Sequence, residues 1–244
     1  MSFPHNPKSS IFDKNAINVE SPKMKDFLYS KFTVLCIGAS VIFLYPLVFF
    51  PKGELELLIN KFHYPALDLF FKYSTHLGDG SLLAVLLFGS LFYNYYTAIL
   101  TAFTIIFQSI LVSIFKRWIY RGLERPLAFF DESVTFNFVE GVDVHSSNTF
   151  PSGHTATGFA LFALLFIAIK NRGTIVSTLL FILAFIVGFS RVYLLQHFVV
   201  DVYFGALFGI LSVILGLYLI SVLFNDQRLD TFKRTSLRNL ITKG

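Results

Sequence analysis

The sequence predicts an all-α polytopic membrane protein, a bundle of six transmembrane helices with an interfacial amphipathic helix, and three observations lead there. Of 244 residues, 55% are hydrophobic and only 14% charged, with a mean hydropathy of +0.65, whereas a soluble domain carries about 25% charged residues. The apolar residues, 31 phenylalanines among them, gather in runs that approach or exceed the length needed to cross ~30 Å of hydrocarbon. The charges lie mostly in the two tails and between the runs.

Taken in order, residues 1–31 form a polar tail, expected to be cytosolic and partly disordered or interfacial. They lack the short apolar region and small-residue cleavage site of a secretory signal, so the first apolar run is expected to act as an uncleaved anchor. The membrane domain is expected at 32–224, with spans near 32–50, 80–96, 97–115, 155–169, 174–190 and 198–224. Pro46 falls in the first span, where a kink is tolerable, and Asn94-Tyr95-Tyr96 must turn between the second and third. Between the first two spans, 54–72 repeats apolar residues at near-helical spacing. Leu55, Leu58, Ile59 and Phe62 share a face there, followed by Leu67, Phe70 and Phe71, which predicts an amphipathic segment in the interface or over the span ends. A basic cytosolic tail, 225–244, completes the chain.

Cations set the orientation. Lys8, Lys14, Lys23, Lys25 and Lys31 precede the first span; Arg228, Lys233, Arg234, Arg238 and Lys243 follow the last; Lys170 and Arg172 lie in the short turn between the fourth and fifth. An even number of spans puts all three segments on one side, the cytoplasmic one. The net charge of +5 is explained by this topology, and nucleic acid is not an expected partner. The single cysteine, Cys36, excludes an intramolecular disulfide. The opposite side receives 51–79, 116–153 and 191–197. There Lys116, Arg117, Arg121 and Arg125 violate the positive-inside pattern, and an anionic ligand is the obvious reason.

Three stretches on that outer side carry chemistry: Lys116 to Arg125-Pro126, then Pro151-Ser152-Gly153-His154, then Ser190-Arg191 with His197 and Asp201 beyond it. Guanidinium forks match phosphate oxygens, and lysine adds a point charge. Ser152 and Gly153 at a helix start expose backbone N–H groups where the helix dipole favours an anion. His197 and Asp201, four apart, share a helical face, so the carboxylate can take the proton of one ring nitrogen and leave the other to attack. His154 supplies a second imidazole able to protonate a leaving oxygen. Cations outnumber carboxylates here, which disfavours a divalent metal, and no cofactor is expected.

With these residues in view, the chain resembles the type 2 phosphatidic acid phosphatase (PAP2) superfamily, which shares its site with vanadium haloperoxidases. The resemblance spans about 75–220. One departure is plain: the family's first motif sets six residues between its lysine and Arg-Pro, but eight separate Lys116 from Arg125 and seven separate Arg117. Lys116 is the candidate for that position, with Arg117 or Arg121 as substitutes. The resemblance implies a displacement in which His197 attacks phosphorus, oriented by Asp201, and forms a phosphohistidine. It makes His154 the acid and then the base, and gives the phosphate oxygens to Lys116, Arg125, Ser152, Gly153 and Arg191.

Other residues keep two readings. His145 is a candidate substrate contact or a solvated loop histidine. Asp79, in Thr75-His76-Leu77-Gly78-Asp79-Gly80, either lines the lipid entrance or simply starts a helix. The expected activity is removal of phosphate from a membrane lipid at the outer, periplasmic face of a bacterial inner membrane. Undecaprenyl diphosphate, lipid A, phosphatidylglycerol phosphate and phosphatidic acid are the candidate substrates. A lipid phosphotransferase and a non-enzymatic anion transporter are the alternatives.

Overall fold

Backbone amides inside hydrocarbon have no water to bond, so long apolar stretches resolve into helices. The computed structural model describes residues 24–170 and 172–241. In order come α1 (Met24–Leu28), α2 (Lys31–Phe49), α3 (Glu54–Asn60), α4 (Pro65–Ser74), a 3-10 turn (Thr75–Gly78), α5 (Gly80–Tyr93) and α6 (Tyr95–Ile114). A π-helical turn (Phe115–Ile119) then leads to α7 (Pro126–Phe129), α8 (Gly153–Ala168), α9 (Thr174–Tyr193), α10 (Val199–Leu223), α11 (Asp226–Arg234) and α12 (Leu237–Ile241). Residues 1–23 of the expected tail lie outside the described residues.

An apolar helix stands at each of the six expected positions. Four of them, α2, α6 with its π turn, α9 and α10, are long and apolar enough to cross a membrane. A fifth crossing counts α4 to Gly78 and α5 as one span bent by 50°. The helix α8 is shorter, at 16 residues, and 12 of these are buried: it runs through the middle of the bundle, walled by α9, α10 and α6. Close approach depends on small residues. A side chain at Gly205 would stand 2.6 Å from the Ser152 carbonyl oxygen, and one at Gly209 would stand 2.4 Å from that of Ala156. These two glycines press α10 onto the start of α8, which sets the distance between two of the motifs.

Three details sharpen the sequence reading. The turn between the second and third spans is Asn94 alone, whose side chain accepts the Thr97 amide at 2.8 Å and caps α6. The segment 54–72 falls in two helices, α3 and α4, and two polar residues of α3 face inward. Glu56 and Asn60 are buried, while Leu58, Phe62, Leu67 and Phe70 are exposed, as suits a surface against lipid rather than water. In the tail, Asp226–Arg234 and Leu237–Ile241 form α11 and α12, which pack against α6 and α5, with Leu229 buried.

Candidate active site

Helix starts converge on one point. The candidate pair of the third motif sits where α9 ends and α10 begins: Leu195 takes a left-handed φ of 54°, and His197 and Asp201 are both buried. Asp201 Oδ2 accepts the Phe198 amide at 2.9 Å, so the carboxylate caps its own helix. The same oxygen faces His197 Nδ1 at 3.4 Å and accepts the Thr149 hydroxyl. That arrangement orients the ring and leaves Nε2 as the nitrogen available for attack. Burial, followed by the charges of Arg125, Arg191, Lys116 and His154, holds the His197 imidazole well below its usual pKa. A neutral imidazole is the nucleophilic form.

The second motif begins α8. The Ser152 hydroxyl accepts from the Thr155 amide at 3.4 Å and from its hydroxyl at 2.8 Å, and the Ser152 amide donates to the Asp201 carbonyl at 3.0 Å. Ser152 is thus a cap and a tie to α10. The amides of Gly153 and His154 are left at the positive end of the helix, free for an anion. Space is there too: a side chain at Gly153 would meet only Val112, at 3.9 Å.

The cations divide into two groups. Arg125 is buried in the loop between the π turn and α8, with Nε on the Ser147 carbonyl at 2.9 Å and Nη1 on the Gln196 carbonyl and side-chain oxygens at 2.9 and 3.1 Å. Arg191 is buried with Nη1 on the Thr75 hydroxyl at 2.7 Å. Its Nε is a buried donor that has no partner among the described residues, and a phosphate oxygen would satisfy it. Lys116 is half-buried in the π turn and contributes to the field at His197. Arg117 and Arg121, the proposed substitutes, are exposed. His145 is exposed in the loop as well.

Asp79 is the N-cap residue of α5, as the helix-start reading expects, but its side chain makes no cap hydrogen bond and points elsewhere. Its Oδ1 stands 2.8 Å from His154 Nε2, and its Oδ2 stands 2.9 Å from His76 Nδ1. Sequence reasoning also passed over Thr149, Gln196, Thr75 and Glu56. Glu56 Oε1 accepts the Val199 amide at 2.6 Å, at the start of α10. Nothing local marks these four as site residues, because each acts on a partner at least 71 positions away apart from Thr149, 48 from His197 and 52 from Asp201.

The fold and the site together define a polytopic helical membrane protein with cationic side chains gathered around two histidines at helix ends. The chain belongs to the PAP2 superfamily, whose family model matches residues 97–224. This bears out the resemblance carried by the three motifs. Among curated proteins it is 34% identical over 93 residues to the lipid A 1-phosphatase of Porphyromonas gingivalis, covering 38% of this chain and 21% of that one. It is 35% identical over 98 residues to the bacitracin transport permease protein BcrC of Bacillus licheniformis, covering 40% and 46%. The chain therefore spans less than half the length of either relative. The crystal structure of Aquifex aeolicus LpxE superposes with a TM-score of 0.59 at 29% identity, over 68% of this chain and 94% of that one. The PAP2-type phosphatidylglycerolphosphate phosphatase of Bacillus subtilis shares the fold, with a TM-score of 0.53 at 22% identity over 79% and 98%.

Proposed function

We propose that this protein is a lipid phosphatase that hydrolyses a phosphate ester or diphosphate of a membrane lipid head group through a phosphohistidine on His197. The observation that carries the reading is the buried His197–Asp201 pair set beside a second imidazole and inside a field of three cations. A transporter would leave that nucleophile and acid unused. In the first step, His197 Nε2 bonds to phosphorus, the phosphorus–oxygen bond to the lipid breaks, and a proton from His154 goes to the leaving oxygen. In the second, water gives its proton to His154 as it attacks, and the phosphorus–nitrogen bond breaks. Lys116, Arg125, Arg191 and the Gly153 amide hold the oxygens as charge shifts among them. No step calls for a metal.

The lipid tail has a place to lie. An apolar cavity of about 560 Å³ runs between α2, α9 and α10, lined by Ile37, Phe43, Phe189, Val199 and Tyr203 among others. The head group would enter from the outer face, beneath the 116–153 loop, with both termini in the cytoplasm. The identity with a lipid A 1-phosphatase makes a phosphorylated saccharide lipid the first substrate to try, ahead of undecaprenyl diphosphate, phosphatidylglycerol phosphate and phosphatidic acid.

The test is phosphate release from that lipid panel by purified protein, with and without chelator. Release that persists in chelator and disappears in His197→Ala and His154→Ala supports the mechanism. Full activity in either variant removes the assigned nucleophile or acid. Orientation is tested by a cysteine at Asn148 in a Cys36→Ser background, which should react with an impermeant thiol reagent in intact cells; reaction only after permeabilisation reverses the topology.

A further inference from the structure

A single short turn touches two members of the site, and neither contact belongs to the three motifs. The 3-10 turn Thr75–Gly78 offers the Thr75 hydroxyl to Arg191 at 2.7 Å. At its end Asp79 meets His154 Nε2 at 2.8 Å. Between them Gly78 lies flat against α8, where a side chain would come within 2.7 Å of the His154 carbonyl oxygen. The turn therefore cannot shift without moving the general acid.

His154 needs such a partner. As an acid it must carry a proton, yet it stands at the positive end of α8, where a cation is disfavoured. Arg191 and Lys116 act on it from α9 and from the π turn. Asp79 is the carboxylate that offsets these charges. By taking Nε2–H it also fixes the tautomer and turns Nδ1 toward the reacting oxygen. The other carboxylate oxygen meets His76 Nδ1 at 2.9 Å, and the His76 side chain is 66% exposed, so the chain His154–Asp79–His76 ends in water.

We propose that Asp79 is the positioning residue of the general acid, and that the Thr75–Asp79 turn is a fourth element of the site. This rests on the phosphatase reading above. During the first step His154 gives its Nδ1 proton to the leaving lipid oxygen while its Nε2 proton stays on the ring, hydrogen-bonded to Asp79. In the second step water returns a proton to Nδ1. Asp79 touches neither phosphorus nor substrate.

The decisive variable is the leaving group, because an alkoxide or sugar oxygen needs a proton to depart and a nitrophenolate does not. Wild type, Asp79→Asn and His76→Gln are compared on a lipid phosphate and on an aryl phosphate, with kcat and KM measured separately. Asp79→Asn is expected to lose about 100-fold in kcat on the lipid substrate, within the range general acids contribute, and only a few-fold on the aryl phosphate, with KM little changed. His76→Gln should lose less than Asp79→Asn on the lipid. Equal losses on both substrates, or a loss confined to KM, overturn the role given to Asp79. Failure of the wild type to hydrolyse either compound overturns the phosphatase reading itself, and the role of Asp79 with it. The Asn side chain is isosteric, and an unchanged elution volume in detergent confirms that the variant is folded.

Discussion

The hydroxyl of Thr149 donates to the same oxygen of Asp201 that faces His197 Nδ1 at 3.4 Å, and stands 3.4 Å from that nitrogen itself. Three donors, counting the Phe198 amide, thus converge on one carboxylate oxygen. The ring of the proposed nucleophile is held by a carboxylate that is itself held from two other places in the chain.

Thr149→Val removes that hydroxyl at nearly constant volume and leaves Asp201 free to turn. We expect kcat to fall about tenfold, a supporting-shell effect of the size seen when the partner of a reactive group is lost, with Thr149→Ser restoring most of it. Rates on one lipid substrate for the three proteins check this. A Val variant as active as wild type would mean that the Phe198 amide alone fixes the carboxylate.

The pH dependence follows from the charges around His197. Burial and the neighbouring cations hold its pKa below the ordinary imidazole value of 6.5. The nucleophile is therefore already neutral at pH 6.5, and the acid limb of kcat/KM attributable to it lies below that. Removing a cation weakens the effect, so Arg125→Ala should raise the His197 pKa and move the acid limb to higher pH, beyond any change in rate. Profiles of kcat/KM against pH for the two proteins decide it. A limb that moves to lower pH contradicts the sign.

Much of this site was legible in the sequence, and the reason is local. His197 and Asp201 lie one helical turn apart, and Ser152-Gly153-His154 sit together at a helix start, so spacing alone places them. Lys116, Arg125 and Arg191 stood out as cations on the side where cations are disfavoured. Thr149 and Gln196 escape notice, and the Thr75–Gly80 stretch reads only as a lipid entrance or a helix start, because a threonine, a turn aspartate or a loop glutamine has no periodic signature. Their meaning comes only from what folding brings beside them. The helical, two-faced character of 54–72 was legible too, but not which of its faces is turned inward. Periodicity marks which residues share a face but not which face is inside, and beside lipid the buried face of α3 is the polar one, with Glu56 and Asn60.

Glu56 shows the consequence for stability. Its carboxyl accepts the Val199 amide at 2.6 Å, and burial, reinforced by the charge of Asp201, raises its pKa above the usual 4.5 despite that bond. The folded protein binds this proton more tightly than the unfolded chain. The stability it contributes is therefore complete below 4.5 and is lost as pH rises through the folded pKa. Glu56→Gln keeps an acceptor without a charge and should flatten that slope. Glu56→Ala leaves the amide unpaired and should cost about 1–3 kcal/mol. Thermal unfolding in detergent across pH measures both, and a Gln variant with the wild-type slope would locate the titration elsewhere.

Lys116 and the turn that carries it give the last expectation. Eight residues separate it from Arg125, too many for the family's spacing of six, and the structure shows where part of the surplus goes. From Phe115 to Ile119 the helix widens into a π turn, and a π-bulge takes in an extra residue without ending the helix. The turn leaves Lys116 half-buried and in the field of His197, with Arg117 exposed one position on. Lys116→Ala should therefore lower kcat/KM about 100-fold, the scale of losing one donor to a developing oxyanion, while Arg117→Ala and Arg121→Ala change it only a few-fold. Removing one residue from 117–120 should restore ordinary helical winding and rotate Lys116 away, lowering activity toward the level of the alanine variant. If Arg117→Ala proved the more damaging change, the first-motif cation would be Arg117, and the π turn would serve to present that side chain instead.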